Sequence, residues 1–226
     1  MIKSGVVSNR EGYPLNSVFG LKYCGKIQTQ DQLDKYINQY ANGNNNIAMP
    51  GNLRLGDNMY EDVNKDGKLT EADYVYLGTD DPKVSFSFNA GLSWKGFDVS
   101  VIFQGAGKRT VWRGGENNQK GKNDNWRIPM MSWYNNSTNQ SVGNVWSAET
   151  PNAHYPTYTH QTQINLYNYI CSSWSVEDGA YLRLKNVTLG YTFPANVLSK
   201  TKFISYARIY VSGADLWENS KIKDGW

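Results

Sequence analysis

From Val84 to Trp94 the side chains alternate without a break: Val84, Phe86, Phe88, Ala90, Leu92 and Trp94 fall on one face, and Ser85, Ser87, Asn89, Gly91 and Ser93 on the other. A period of two over this length specifies a β-strand with one apolar and one polar face. Eleven residues at about 3.3 Å each reach roughly 36 Å, and a tilt near 45° brings the vertical span to about 25 Å, the height of the apolar band of an outer-membrane barrel. Lys95-Gly96 is a two-residue turn signal, after which Phe97, Val99, Val101 and Phe103 resume the alternation against Asp98, Ser100 and Gln104, so residues 84–104 are expected to form a hairpin.

Two further strands are expected. In 181–193, Val187, Leu189, Tyr191 and Phe193 alternate with Thr188, Gly190 and Thr192 until Pro194, while Leu182 and Leu184 lie in the opposite phase, which predicts a bulge near Asn186. In 205–213, Ala207, Ile209 and Val211 oppose Tyr206, Arg208 and Tyr210. Arg208 should face polar surroundings, since a cation on lipid at mid-membrane costs about 2–4 kcal/mol. One helix is expected at 29–41, where Leu33, Tyr36, Ile37 and Tyr40 recur at helical spacing, Thr29 and Gln32 offer a capping box, and Asn42-Gly43 supplies a stop. Residues 108–174 are too long for an ordinary connection and read as long folded loops, with an Asn- and Trp-rich stretch at 117–144.

Composition excludes several classes. A formal charge of +3 is too small and too dispersed for a nucleic-acid footprint. No apolar run approaches the 18 or so residues of a spanning helix, and the N-terminus shows no secretory signal, so the expectation is either a cytosolic protein or a portion of a longer exported chain. Cys24 and Cys171 fit buried thiols or one long-range bridge equally well. Aromatic residues make up 14% of the chain although its mean hydropathy is −0.62, which implies aromatic side chains placed for surfaces as well as for a core.

Asp62-Val63-Asn64-Lys65-Asp66-Gly67-Lys68-Leu69-Thr70-Glu71-Ala72-Asp73 fits a calcium loop, with oxygen ligands at positions 1, 3 and 5, glycine at 6, an apolar residue at 8 and a carboxylate at 12. Asp62, Asn64, Asp66 and Asp73 would supply side-chain oxygens, Lys68 its carbonyl, and Thr70 a direct or water-mediated contact. The expected ion is structural Ca2+. The competing reading is a solvated acidic turn with Lys65 and Lys68 as counter-ions. Trp112, Trp126, Trp133 and Trp146 are candidate ligand-binding platforms for sugar rings; the plainer reading is that such rings pack loops or line a membrane interface. No catalytic constellation is visible. His154 and His160, the only histidines, lack any HExxH or GxSxG context, so an enzyme is not expected.

Several segments resemble the SusC/RagA family of TonB-dependent outer-membrane transporters. They are Glu11 to Ser17 with Gly25 to Gln32, Gly56 to Gly78 around the calcium-type loop, Phe88 to Gln104, Trp146 to Pro156 (WSAETPNAHYP), Glu177 to Phe193 (EDGAYLRLKNVTLGYTF), the most specific, and Ile209 to Leu216 (IYVSGADL). The resemblance implies an all-β fold: residues 1–226 as a C-terminal portion of a barrel of about 22 strands, a partial antiparallel transmembrane β-barrel of late strands with long extracellular loops and one short helix, the plug domain being absent. It further implies import of oligosaccharides or peptides across the outer membrane, a SusD-like surface lipoprotein as partner, energy from the TonB complex through missing N-terminal parts, and outer-membrane lipid around the strands. The alternative is a secreted, soluble β-sandwich module that binds glycans and holds calcium; apolar rows facing an opposed sheet would mark the sandwich, and rows facing outward the barrel.

Overall fold

A computed structural model describes residues 2–4, 7–40, 49–112, 143–159, 161–201 and 203–222. In chain order the elements are β1 (Ile2–Ser4), β2 (Val7–Asn9), β3 (Ser17–Gly20), β4 (Tyr23–Lys26), α1 (Gln30–Tyr40), β5 (Asn58–Tyr60), β6 (Val75–Thr79), β7 (Ser85–Trp94), β8 (Phe97–Ala106), β9 (Thr110–Trp112), α2 (Thr162–Asn168), β10 (Val176–Asp178), β11 (Tyr181–Thr192), α3 (Ala195–Leu198) and β12 (Arg208–Ser220), with single 3-10 turns at Glu71–Asp73 and Ser199–Thr201. They form two compact units, Met1–Asp81 with Thr110–Glu177, and Pro82–Arg109 with Asp178–Trp226. Among the described residues no helix is long and apolar enough to cross a membrane.

The first unit carries the antiparallel sheet β1-β2-β3-β6 and the smaller pairs β4-β5 and β9-β10. Its core gathers Leu21, Ile27, Leu53, Tyr60, Leu69 and Tyr167 around the buried face of α1, from which Leu33, Tyr36 and Tyr40 project at helical spacing. Thr29 Oγ1 accepts the Gln32 N–H at 3.3 Å as the sequence predicts, but the return bond from Gln32 Oε1 lands on the Gln28 N–H, at 2.8 Å, rather than on Thr29. Within the stretch 108–174, read from the sequence as long folded loops, the described residues from 143 onward carry α2 and help close this unit. Leu21 exchanges backbone bonds with Cys171 and Ser173, each at 2.9 Å, and the hydroxyls of Tyr36 and Tyr167 meet at 2.6 Å. The expectation of one helix is corrected by α2 and α3. Each is too short for its periodicity to be legible, and α2 is fixed instead by the burial of Ile164, Asn165, Tyr167 and Asn168.

The second unit is a four-stranded antiparallel sheet, β12-β11-β8-β7. Lys95 and Gly96 both take positive φ, 50° and 90°, between the paired residues Trp94 and Phe97, which is the two-residue turn whose twist suits a hairpin and which glycine makes inexpensive. The predicted bulge falls at Lys185, where the register of β11 steps between Leu184 and Asn186 against both neighbours. The fourth strand begins at Arg208 and runs to Ser220, later and longer than the expected 205–213. Asp215, at φ 52°, and Leu216 lie in the register step opposite Lys185; Gly213 and Asp215 take the places where the apolar alternation up to Val211 would continue, and it returns at Trp217 in the same phase.

Candidate functional site

Outside the step at Lys185, Asp215 and Leu216, register assigns the strand residues of the second unit to a face. Phe86, Phe88, Ala90, Leu92 and Trp94 share one face with Phe97, Val99, Val101 and Phe103 of β8, Leu182, Leu184, Val187, Leu189 and Tyr191 of β11, and Ile209, Val211 and Trp217 of β12. The bulge is what restores Leu182 and Leu184 to this face. The row is exposed: Phe88 is 60% and Trp94 65% accessible, as are Leu92, Ile209 and Val211 to similar degrees. Among the described residues no opposed sheet seals it, which counts against the soluble sandwich.

The opposite face is mainly polar and carries ion pairs. Arg208 Nε donates to Asp98 Oδ1 at 3.2 Å, and Arg183 Nε to Glu218 Oε2 at 2.8 Å. Asp98 lies on β8 and Arg208 on β12, so their bridge passes over Gly190 of β11, where a Cβ would sit 2.6–2.8 Å from the guanidinium and carboxylate atoms. Arg208 therefore has the polar surroundings its sequence position requires. These partners were invisible in the sequence because they lie on different strands, 110 residues apart for Asp98 and Arg208.

In the first unit the acidic loop is entered by β5, not by a helix, and leaves through the 3-10 turn Glu71–Asp73, which Thr70 and Asp73 close as a capping box. Lys65 and Gly67 take positive φ, and Leu69 is fully buried beneath the loop. Asp62 accepts the backbone N–H groups of Asp66 (3.2 Å) and Gly67 (2.8 Å), Asn64 Oδ1 that of Asp66 (2.9 Å), and Asp66 Oδ1 that of Lys68 (2.9 Å). Asp73, fully buried, accepts from Val63 and Asn64 on Oδ1 and from Thr70 on Oδ2. The donor set is all oxygen, the chemistry a hard cation prefers, and Asp62, Asn64 and Asp66 lie on the exposed side of the turn with the Lys68 backbone. Against this, no three His, Cys, Asp or Glu side chains among the described residues converge as metal ligands, because the carboxylates are turned to backbone N–H groups. A cavity of about 410 Å³ adjoins the loop, walled by Cys24, Tyr36, Tyr40, Tyr60, Asp62 and Gly67.

Trp146 is half-buried, stands where a side chain on Gly56 would lie, and donates its indole N–H to Gln28 at 2.9 Å. Trp112, on β9, is half-buried with its indole N–H out of reach of an acceptor. Trp126 and Trp133, with His160, Trp226 and most of the Asn-rich stretch, lie outside the described residues. The thiols of Cys24 and Cys171 are both free. Burial pushes Cys171 up to about 12; burial, and then the nearby Glu61, raise Cys24, with Lys22 acting in the opposite direction. A buried polar node that the sequence does not reveal joins Asp57 to Asn168 Nδ2 (2.8 Å) and to the Arg54 N–H (2.7 Å), while Asn58 bonds the side chain and carbonyl of Asn168. Desolvation raises the Asp57 carboxyl, and those bonds offset only part of it.

The chain is 29% identical over 207 residues to TonB-dependent receptor P3 of Formosa agariphila and 26% identical over 207 residues to TonB-dependent receptor P26 of the same organism, covering 92% and 91% of this chain. Both of these relatives are TonB-dependent receptors. It spans only 18% of the length of each of these relatives. Among solved structures, the RagAB peptide importer in its open-open state covers 99% of the chain at 18% identity with a TM-score of 0.63, and the RagAB peptide transporter matches at 19% identity with a TM-score of 0.60, each alignment taking 21% of the longer chain. No family model matches. The resemblance to TonB-dependent receptors read from the sequence is shared by these relatives, and the fold matches that of part of the RagAB structures.

Proposed function

We propose that this chain is a barrel-and-loop part of an outer-membrane TonB-dependent importer, with β7, β8, β11 and β12 crossing the bilayer. The observation that carries the reading is the two-faced sheet of the second unit: a continuous exposed apolar face meets lipid, and the ion-paired face lines the interior, where strand pairing satisfies the backbone. In this reading the tight Lys95-Gly96 turn is periplasmic, while the first unit, including residues 108–174 and the acidic loop, is extracellular and shapes a cargo vestibule and the contact with a SusD-like lipoprotein. The cargo is an oligosaccharide or a peptide. Trp112, Trp126, Trp133 and Trp146 would serve as cargo platforms, and the structural neighbours are peptide importers.

Structural Ca2+ belongs to this proposal: Asp62, Asn64, Asp66 and Asp73, with the Lys68 carbonyl, would hold it, and the ion would neutralise the loop's carboxylates and fix the turn. The deciding experiment fractionates cells expressing the natural gene product that carries this chain, then measures uptake of labelled peptides and oligosaccharides with and without a functional TonB complex. Recovery in the outer membrane with TonB-dependent uptake of one cargo class supports the reading; recovery as a monomer soluble without detergent defeats it.

A further inference from the structure

The connection from β11 to β12 exposes apolar side chains where a periplasmic turn has no need of them. After Pro194, α3 turns Leu198 inward, where it is buried, yet leaves Val197 outward; beyond it Ile204 is exposed and Phe203 is 95% accessible. Single exposed apolar residues are ordinary, but these stand at the sheet end that also carries Trp94, Phe97 and Tyr191. The two features are tied together. The Thr192 N–H donates to the Gly96 carbonyl at 2.7 Å, the Phe193 N–H to the Ala207 carbonyl at 3.0 Å, and the rings of Phe97, Tyr191 and Phe193 follow one another at 4.5 and 5.1 Å. Apart from Asp98, which is paired with Arg208 on the opposite face, the charge at this end is positive: Lys95 lies over the Trp94 ring at 4.7 Å, Lys200 is exposed, and the sequence from Tyr191 to Ala207 contains no acidic residue.

Aromatic rings, aliphatic tips and lysines gathered at the end of an apolar sheet face form the combination that settles at a lipid headgroup boundary. We infer that residues 194–201 and 203–206 form an interfacial foot resting on the periplasmic-side phospholipid surface, with Phe203 and Ile204 dipping into the acyl boundary and Lys200 among the phosphates. The inference rests on the membrane reading of the strands, with which the foot is continuous.

Site-directed spin labelling separates the two. The natural gene product carrying this chain, in a Cys24→Ser background in which Cys171 is buried and unreactive, is labelled at Phe203→Cys or, separately, at Ala90→Cys, and reconstituted into bilayers containing anionic phospholipid. Collision with oxygen in the acyl phase and with a water-soluble nickel chelate is then compared. The foot predicts oxygen preference at position 203, shallower than at position 90, at a depth of ~5–10 Å into the boundary. Position 203 open to nickel while position 90 stays in hydrocarbon overturns the foot and spares the strands, as does position 203 shielded from both reagents by a protein. Nickel access at both positions overturns the membrane reading and the foot together.

Discussion

Replacing Val101 by arginine measures what its face touches. Val101 pairs with Ala90 and Val187 in the middle of the sheet, four positions along β8 from Phe97. At about 3.4 Å per residue and a tilt near 45°, that is about 14 Å along the strand and about 10 Å along the membrane normal from the turn. An arginine at this depth on a lipid-facing strand costs about 2–4 kcal/mol, a factor of roughly 30 to 700 in the folding equilibrium. Ile209 is on the same face but pairs with Tyr191 at the level of Phe97, so Ile209→Arg should cost only about 0–1 kcal/mol. Ser100, next to Val101 on the opposite face, should accept arginine within ~0.5 kcal/mol of wild type. The assay is urea-dependent folding of the natural gene product into liposomes, read by tryptophan fluorescence and gel-shift of the folded form. Equal costs for Val101→Arg and Ile209→Arg would mean a uniform protein layer, and no cost for Val101→Arg would mean water; either outcome refutes a lipid contact.

Asp57→Asn should alter how stability depends on pH. Burial raises the native carboxyl above its unfolded value, so the native state holds the proton more tightly and wild-type stability falls relative to the variant as pH rises from the ordinary carboxylate value through the raised one, then levels off; denaturation of both proteins from pH 4 to 8 checks the slope. Under native conditions at pH 8 a disulfide reagent should modify Cys24 slowly and leave Cys171 untouched until denaturant is added, as mass spectrometry would show. Gly56→Ala should lower the melting temperature, since φ is +85° and the new methyl group would meet Trp146 and Thr157, a combined cost of about 2–3 kcal/mol. A chelator should lower the melting temperature and added calcium restore it, with Asp62→Ala abolishing the difference; identical melts leave only an acidic turn.

The strands were legible because a sheet with unlike faces writes its period directly into the sequence, and even the bulge at Lys185 could be anticipated from Leu182 and Leu184 standing out of phase. The end of β12 was not, because Gly213 and Asp215 fill the next two places of the apolar row after Val211, and an apolar side chain returns only at Trp217, beyond the register step. The acidic loop was recognised from local spacing, whereas the inward turn of Asp73 onto three backbone donors depends on folding around it. The node of Asp57, Asn58 and Asn168, and the helix α2 that carries it, leave no local trace, since their partners are about 110 residues away.

That separation also constrains how the first unit is made. Its core closes only when Tyr167 reaches Tyr36, 131 residues earlier, and when Cys171 and Ser173 reach Leu21. Joining chain ends so far apart costs roughly 4 kcal/mol of loop entropy in addition to a constant term. During folding the residues through Asp81 therefore hold most of the core's side chains but lack Tyr167, and this unit becomes secure only after α2 docks. A product truncated between residues 110 and 160 should therefore leave this unit open to proteolysis, because the strands and α1 that precede the cut lack the segment that closes them.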